Sequence, residues 1–268
     1  MNSEDIDDKP PPVSGWLQNG FHRFLAKYLR RHFHSIAMTR DSLPRVHVPA
    51  DQPLLVLANH PSWWDPLTAH FLNQRLFPQR QFYAPIDAAA LQQYRVFAKL
   101  GFYGVQMNSI AGAAAFLKQS KSVLTSESTS LWLTPEGRFA DARDHSAELM
   151  PGMAHLCSRM QRGWVLPFAI EYVFWEERLP ECLCRIGEPV NVAEHPNVSK
   201  ADWQAMLTDR MRANQTLLGE FAIARDSDAF ENVLAGVRGA GFVYDSMRRL
   251  KALATGGRFQ ASHGKKLQ

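Results

Sequence analysis

The sequence predicts an α/β fold: a mixed, largely parallel sheet flanked by helices, preceded by an amphipathic helical segment and followed by a helical extension. Three observations carry this. Short continuous apolar runs such as Leu54-Leu55-Val56-Leu57-Ala58 lie between turn residues, as strands buried on both faces do. Between these runs lie stretches with the 3.6-residue apolar period of helices. The two kinds alternate across residues 50–190, the order produced by parallel strands joined through crossover helices. A chain of 268 residues is long enough for one sizeable core.

Taken in order, residues 1–13 are polar, end in Pro10-Pro11-Pro12 and are expected to form a disordered tail. Residues 14–42 make the amphipathic segment. Trp16, Leu17, Gly20, Phe21, Phe24, Leu25, Tyr28 and Leu29 recur near the helical period, with Arg23, Lys27, Arg30 and Arg31 among them. Two readings stand side by side: a packed surface helix, or an interfacial helix with its aromatic face in a bilayer and its basic residues at lipid phosphates. The main domain spans 43–225. Strands are expected at 54–58, 81–84, 102–106, 131–133, 164–170 and 183–186. Helices are expected at 66–76, at 88–100 stopped by Gly101, from a cap at Asn108 or Ser109 through Ala113 to Leu124, and at 202–218. Residues 226–268 form a basic helical extension. There Gly236 to Gly241 interrupts a helical pattern that resumes over 242–253. It is either a helical hairpin on the sheet domain or a second membrane contact.

The net charge of +4 is mild but unevenly spread. Glu4, Asp5, Asp7 and Asp8 open the chain, whereas Arg248, Arg249, Lys251, Arg258, Lys265 and Lys266 crowd its end. The basic residues Arg23, Lys27, Arg30 and Arg31 and the basic C-terminal end around a neutral body point to an anionic surface. No nucleic-acid module is recognisable, so nucleic acid is not expected as a partner. Three cysteines, Cys157, Cys182 and Cys184, argue against a disulfide framework and suit a reducing compartment. Cys182-x-Cys184 is too sparse for zinc, so both are expected to pack and no metal site is expected. No run approaches the roughly 18 apolar residues of a spanning helix, and the acidic start is unlike a signal peptide. The expected location is the cytoplasm, peripheral on the inner face of the cell membrane.

Two motifs follow apolar strands. In Asn59-His60-Pro61-Ser62-Trp63-Trp64-Asp65, His60 emerges just past the 54–58 run. Ligands bind at the carboxyl ends of strands in open α/β sheets. A carboxylate on the next turn would orient such a histidine as a general base toward a substrate hydroxyl. On spacing alone, a histidine with an aspartate five positions on is more often structural. In Thr134-Pro135-Glu136-Gly137-Arg138-Phe139, a carboxylate and a guanidinium stand at the mouth of a second strand. Glycine there permits close backbone approach and Arg138 suits an anionic group; a surface turn with an ion pair fits equally. A Gly-x-Ser-x-Gly elbow is absent, which weighs against a serine hydrolase.

Together and in this order the motifs resemble the glycerolipid acyltransferase superfamily, the lysophosphatidic acid and glycerol-phosphate acyltransferases. Its Asn-His-x4-Asp block is matched by Asn59, His60 and Asp65. Its Phe-Pro-Glu-Gly-Thr-Arg-Ser block is approximated by residues 134–139. The stretch 150–154, Val165-Leu166-Pro167 and Gly187-Glu188-Pro189 are similar to later family elements. The resemblance implies transfer of an acyl chain from acyl-CoA or acyl-ACP to a hydroxyl of a lysophospholipid or related polar lipid. His60 would be the general base, Asp65 its orienting partner, and Asn59, Ser62, Glu136, Gly137 and Arg138 substrate contacts. No bound cofactor is implied. The partners are the thioester donor (with acyl-carrier protein as one possible carrier), the lipid acceptor and an anionic membrane surface.

Two departures stand out. Met107 occupies the place of the family's acceptor-phosphate arginine, and the third block is one residue short, so that Arg138 directly follows Gly137. Charge-assisted hydrogen bonds of this kind contribute roughly 1.5–3 kcal/mol each. The acceptor's identity therefore stays open. So do two alternatives: a catalytically silent lipid-binding or scaffold protein of the same fold, and a thioesterase in which water replaces the acceptor.

Overall fold

The computed structural model describes residues 9–107 and 109–236, in which helices and strands alternate as the apolar periodicity requires. Helix α1 (Gly15–His32) leads into β1 (Ser35–Thr39), a 3-10 stretch and β2 (Leu54–Ala58), followed by α2 (Asp65–Leu76) and β3 (Gln81–Asp87). Next come α3 (Ala88–Gln93), a second 3-10 stretch (Arg95–Leu100), β4 (Phe102–Val105), α4 (Ile110–Thr125) and β5 (Thr129–Leu133). After α5 (Gly152–Cys157), β6 (Trp164–Val173), β7 (Glu181–Ile186) and β8 (Val190–Asn191), the long α6 (Lys200–Ala224) precedes β9 (Phe230–Ala235).

The strands form one sheet in the order β4-β3-β5-β2-β6-β7-β1-β9, with β8 pairing β6. From β4 to β6 every pairing is parallel, as is β1 with β7. The β6–β7, β6–β8 and β1–β9 pairings are antiparallel. Alternation along β2 divides the core. Leu54, Val56 and Ala58 pack with Leu25 and Leu29 of α1 and Phe71 and Leu72 of α2. Leu55 and Leu57 face Val123 of α4, Met153 of α5, and Leu207 and Met211 of α6. Each of the four residues from Leu54 to Leu57 is fully buried, which stabilises the fold by about 1.5–3 kcal/mol per side chain. Residue Leu57 lies level with Leu133 of β5 and Pro167 of β6, so β2 and β5 end together while β6 runs on past them to Val173.

The sheet reaches beyond residues 43–225. β1 falls within the segment expected to be helical through residue 42, and it sits between β7 and β9. β9 falls within the extension expected to be helical from 226. Neither carries a strong local strand signal; pairing makes them strands, β1 being bonded on both sides and buried at every residue. Within residues 88–100 the helix breaks at Tyr94, whose φ of −119° is not helical, and a 3-10 stretch ends at Gly101 with φ of +100°. Ser109 caps α4 by accepting from the Gly112 N–H at 2.9 Å. The tail does not run free up to residue 13: the Tyr83 hydroxyl donates to the Pro11 carbonyl at 3.1 Å, and Val13 packs on the core. Residues 1–8, the alternative cap Asn108 and the pattern expected over 242–253 lie outside the described residues.

Helix α1 is a packed helix with one face left over. Leu25 and Leu29 are buried, and Phe21 meets His70 of α2 edge-on with ring centroids 5.0 Å apart. Trp16 and Phe24 remain 81% and 56% exposed.

Candidate active site

Past the end of β2, Asn59 turns its amide toward β6 instead of solvent. Its Nδ2 donates to the Ile170 carbonyl at 2.9 Å, and its Oδ1 accepts from the Ile170 N–H at 2.8 Å. The side chain thus prolongs the β2–β6 ladder by one rung and is 1% exposed. Expected as a substrate contact, Asn59 instead fixes where the next residue emerges.

That residue is His60. Its Nδ1 lies 2.7 Å from Oδ2 of Asp65, the first residue of α2. The same oxygen accepts from the Ser62 N–H at 3.0 Å, and the other, Oδ1, from the Tyr172 hydroxyl at 2.7 Å. An ionised carboxylate only accepts, so Nδ1 carries the imidazole proton and Nε2 keeps its lone pair. The His60 side chain is 20% exposed and packs against the Phe139 ring at 4.5 Å, while Asp65 is buried. The ring is therefore clamped on its Nδ1 side and open on the other. Burial pushes the Tyr172 phenol well above its ordinary range, and the nearby Asp65 charge adds to this. It stays protonated and remains a donor.

The second motif meets the first through its backbone. Oε2 of Glu136 accepts from the His60 N–H at 2.8 Å, and the Ala140 N–H donates to the His60 carbonyl at 3.0 Å. The other Glu136 oxygen accepts from Nη1 of Arg212, on α6, at 2.8 Å. Arg212 also reaches the Ala147 carbonyl at 2.7 Å. Glu136 is 5% exposed. Expected to position substrate, it is committed to the protein and holds the histidine loop. Ser62 is likewise engaged: its N–H donates to Asp65 and its Oγ accepts from the Trp64 N–H at 3.3 Å. Gly137 adopts a φ of +63°, and its N–H closes the turn on the Thr134 carbonyl at 3.0 Å. Arg138 is exposed beside it. Met107, 40% exposed past β4, puts a thioether where the resemblance called for a guanidinium.

Four further residues belong to the site. Tyr172 and Arg212 orient Asp65 and Glu136, and an ion pair joins Arg143 to Glu171. No local pattern marks any of them, because each acts across the fold. An open cavity of about 610 Å³ lies against Ser62 and Tyr172, with Arg143, Glu171, Phe174 and Arg225 among its walls. The two cysteines of Cys182-x-Cys184 are buried in the core, and among the described residues no cluster of three or more potential metal ligands occurs. Nor is any described helix long and apolar enough to cross a membrane.

A histidine–aspartate pair past the end of a central strand of a mixed α/β sheet is an arrangement able to activate a hydroxyl. Residues 35–171 match the family model described as Acyltransferase, and the chain belongs to that family. It is an acyltransferase. No curated protein matches the chain. The crystal structure of the 1-acyl-sn-glycerophosphate (LPA) acyltransferase PlsC from Thermotoga maritima is similar at 14% identity, with a TM-score of 0.49 over 82% of this chain and 84% of that one.

Proposed function

We propose that the protein moves a fatty acyl chain from an acyl thioester, carried by coenzyme A or acyl-carrier protein, to a hydroxyl of a lysophospholipid or related polar lipid. The observation that carries this reading is the 2.7 Å contact between His60 Nδ1 and Asp65 Oδ2, which leaves Nε2 as the free base. Nε2 takes the acceptor's hydroxyl proton while that oxygen attacks the thioester carbonyl. As the tetrahedral intermediate collapses, the C–S bond breaks and the imidazolium returns its proton to the leaving sulfur. The products are an ester and a free thiol, and no bound metal or cofactor is required. Asp65 stabilises the transient imidazolium, as a buried carboxylate held by two further donors is placed to do. Gly137 and Arg138, exposed at the neighbouring turn, are the proposed substrate contacts from the second motif.

Peripheral contact with an anionic membrane, on its cytoplasmic face, is part of the same reading. It is supported by exposed Trp16 and Phe24 on a helix that also exposes Arg23, Lys27, Arg30 and Arg31.

The test is release of free thiol from acyl-CoA and from acyl-ACP, with and without lysolipid acceptors. Acceptor-dependent release, lowered about 10²–10⁴-fold in His60→Ala, is the expected result. Release without an acceptor would indicate a thioesterase. Absence of release from either donor would leave a silent lipid-binding protein, and full activity in His60→Ala would overturn the assigned base.

A further inference from the structure

The cavity beside the catalytic pair lies on the opposite side of β2 from Met107. In the sheet order, β5, β3 and β4 lie to one side of β2, and β6, whose end lines the cavity, lies to the other. Two of its walls belong to the catalytic machinery: Ser62 donates through its N–H to Asp65, and Tyr172 donates through its hydroxyl. A molecule seated there lies against the two groups that hold Asp65, the partner of His60.

Its charges cancel. Arg143 and Arg225 are matched by Asp141 and Glu171, and Arg143 is already ion-paired with Glu171. Glu171 is 6% exposed, and the ion pair with Arg143 runs through its Oε1. A phosphate placed in this space would face a buried carboxylate at short range, and like charges there repel strongly. A hydroxyl meets both partners at once, donating to a carboxylate oxygen and accepting from a guanidinium. Several hydroxyls on one small frame match a carboxylate and guanidinium standing side by side. Phe174 and Trp175 add aromatic surface for the carbon skeleton of such a group, with Phe174 66% exposed. Ile223, 67% exposed at the rim, gives an apolar exit for a lipid tail. Arg138, the exposed cation of the second motif, is not among the walls.

Resting on the acyl-transfer reading above, we propose that this cavity seats the acceptor's headgroup, and that the headgroup is neutral and hydroxyl-rich, a sugar or polyol and not a phosphate.

The full-length protein is assayed for thiol release with acyl-CoA and acyl-ACP donors in parallel. The acceptors are octyl glucoside below its micelle concentration and lysophosphatidate at equal concentration. The expected result is a kcat/KM for the glucoside at least about tenfold above that for lysophosphatidate, the discrimination one mismatched polar group typically brings. Glu171→Gln and Arg143→Ala are each expected to raise the glucoside KM about tenfold, and to raise the donor KM far less. Should either variant fail to fold, Phe174→Ala at an exposed position reads the same change in acceptor KM. Preference for lysophosphatidate would overturn the headgroup assignment and leave acyl transfer standing. Variants that raise the donor KM instead would give the cavity to the thioester and overturn the proposal. Lack of thiol release with every donor and acceptor would remove acyl transfer itself, and this inference with it.

Discussion

The backbone N–H of His60 donates to Oε2 of Glu136 at 2.8 Å, joining two motifs that stand 76 residues apart. The carboxylate reaches His60's main chain, so it sets where the ring stands without touching the ring itself. Its second oxygen is held by Arg212, which also binds the Ala147 carbonyl. The Pro-Glu-Gly turn is thus a bracket for the His60 loop, itself held by α6.

Removing one partner of this buried pair leaves the other charge uncompensated. Glu136→Ala is expected to destabilise the fold by about 3–5 kcal/mol, measured by urea unfolding. Arg212→Ala should act similarly, and the double variant should cost less than the sum of the two. Strict additivity in that cycle would show that the pair is not coupled.

Asp65 fixes the imidazole tautomer. Asp65→Asn is therefore expected to lower kcat on the order of 10²–10⁴-fold with little change in stability. Tyr172→Phe removes a donor from the same carboxylate while keeping the ring's packing. With less of its charge dispersed, Asp65 attracts the imidazolium more strongly, so the acidic limb of the pH–rate profile should move to higher pH. A fall in rate with an unmoved profile would reduce Tyr172 to a packing role.

Burial pushes the Glu181 carboxyl up from 4.5 to about 7; a hydrogen bond from Ser35 opposes this and the Glu177 charge adds to it. Between those values the folded chain keeps a proton that the unfolded chain releases. The residue's contribution to stability therefore falls as pH rises through that window, and is flat above about 7. Relative to Glu181→Gln, the wild type should lose on the order of 1–3 kcal/mol between about pH 5 and about pH 8, read from urea midpoints. His70 works in the opposite direction, since burial pushes it down to about 3. Comparison against the single Glu181 variant cancels that term.

Gly137 stands at a φ of +63°, and a Cβ there would press on the side chain of Met150. Gly137→Ala should cost about 1–2 kcal/mol from backbone strain alone. Combining it with Met150→Ala relieves the contact but not the dihedral, so only part of the loss should return. Complete recovery in thermal unfolding would place the whole cost in the side-chain contact.

Membrane binding is best tested by substitution within α1. Deleting residues before 43 would also remove β1, a strand bonded to β7 and β9. Trp16→Ser with Phe24→Ser removes two exposed aromatic groups that would each contribute about 1.5–3 kcal/mol on insertion. Flotation with phosphatidylglycerol vesicles should weaken by at least about tenfold. Equal flotation by wild type and variant would exclude this face as the contact.

The sequence by itself determined the alternating core of the sheet, the strand-to-helix turn that presents His60, and the Asp65 beside it. All of these are local. Apolar periodicity, a capping residue such as Ser109, or a motif of a few residues is complete within one stretch of chain. Only the tertiary structure decided that 35–39 and 230–235 are strands, because each takes its conformation from its neighbours in the sheet. The same holds within the site. Asn59 and Glu136 were legible as motif members, but their backbone-holding roles depend on Ile170 and Arg212. Tyr172 meets Asp65 across 107 residues. A hydrogen bond between residues that far apart leaves no periodic trace in either segment. It exists only once the sheet has set β6 beside β2.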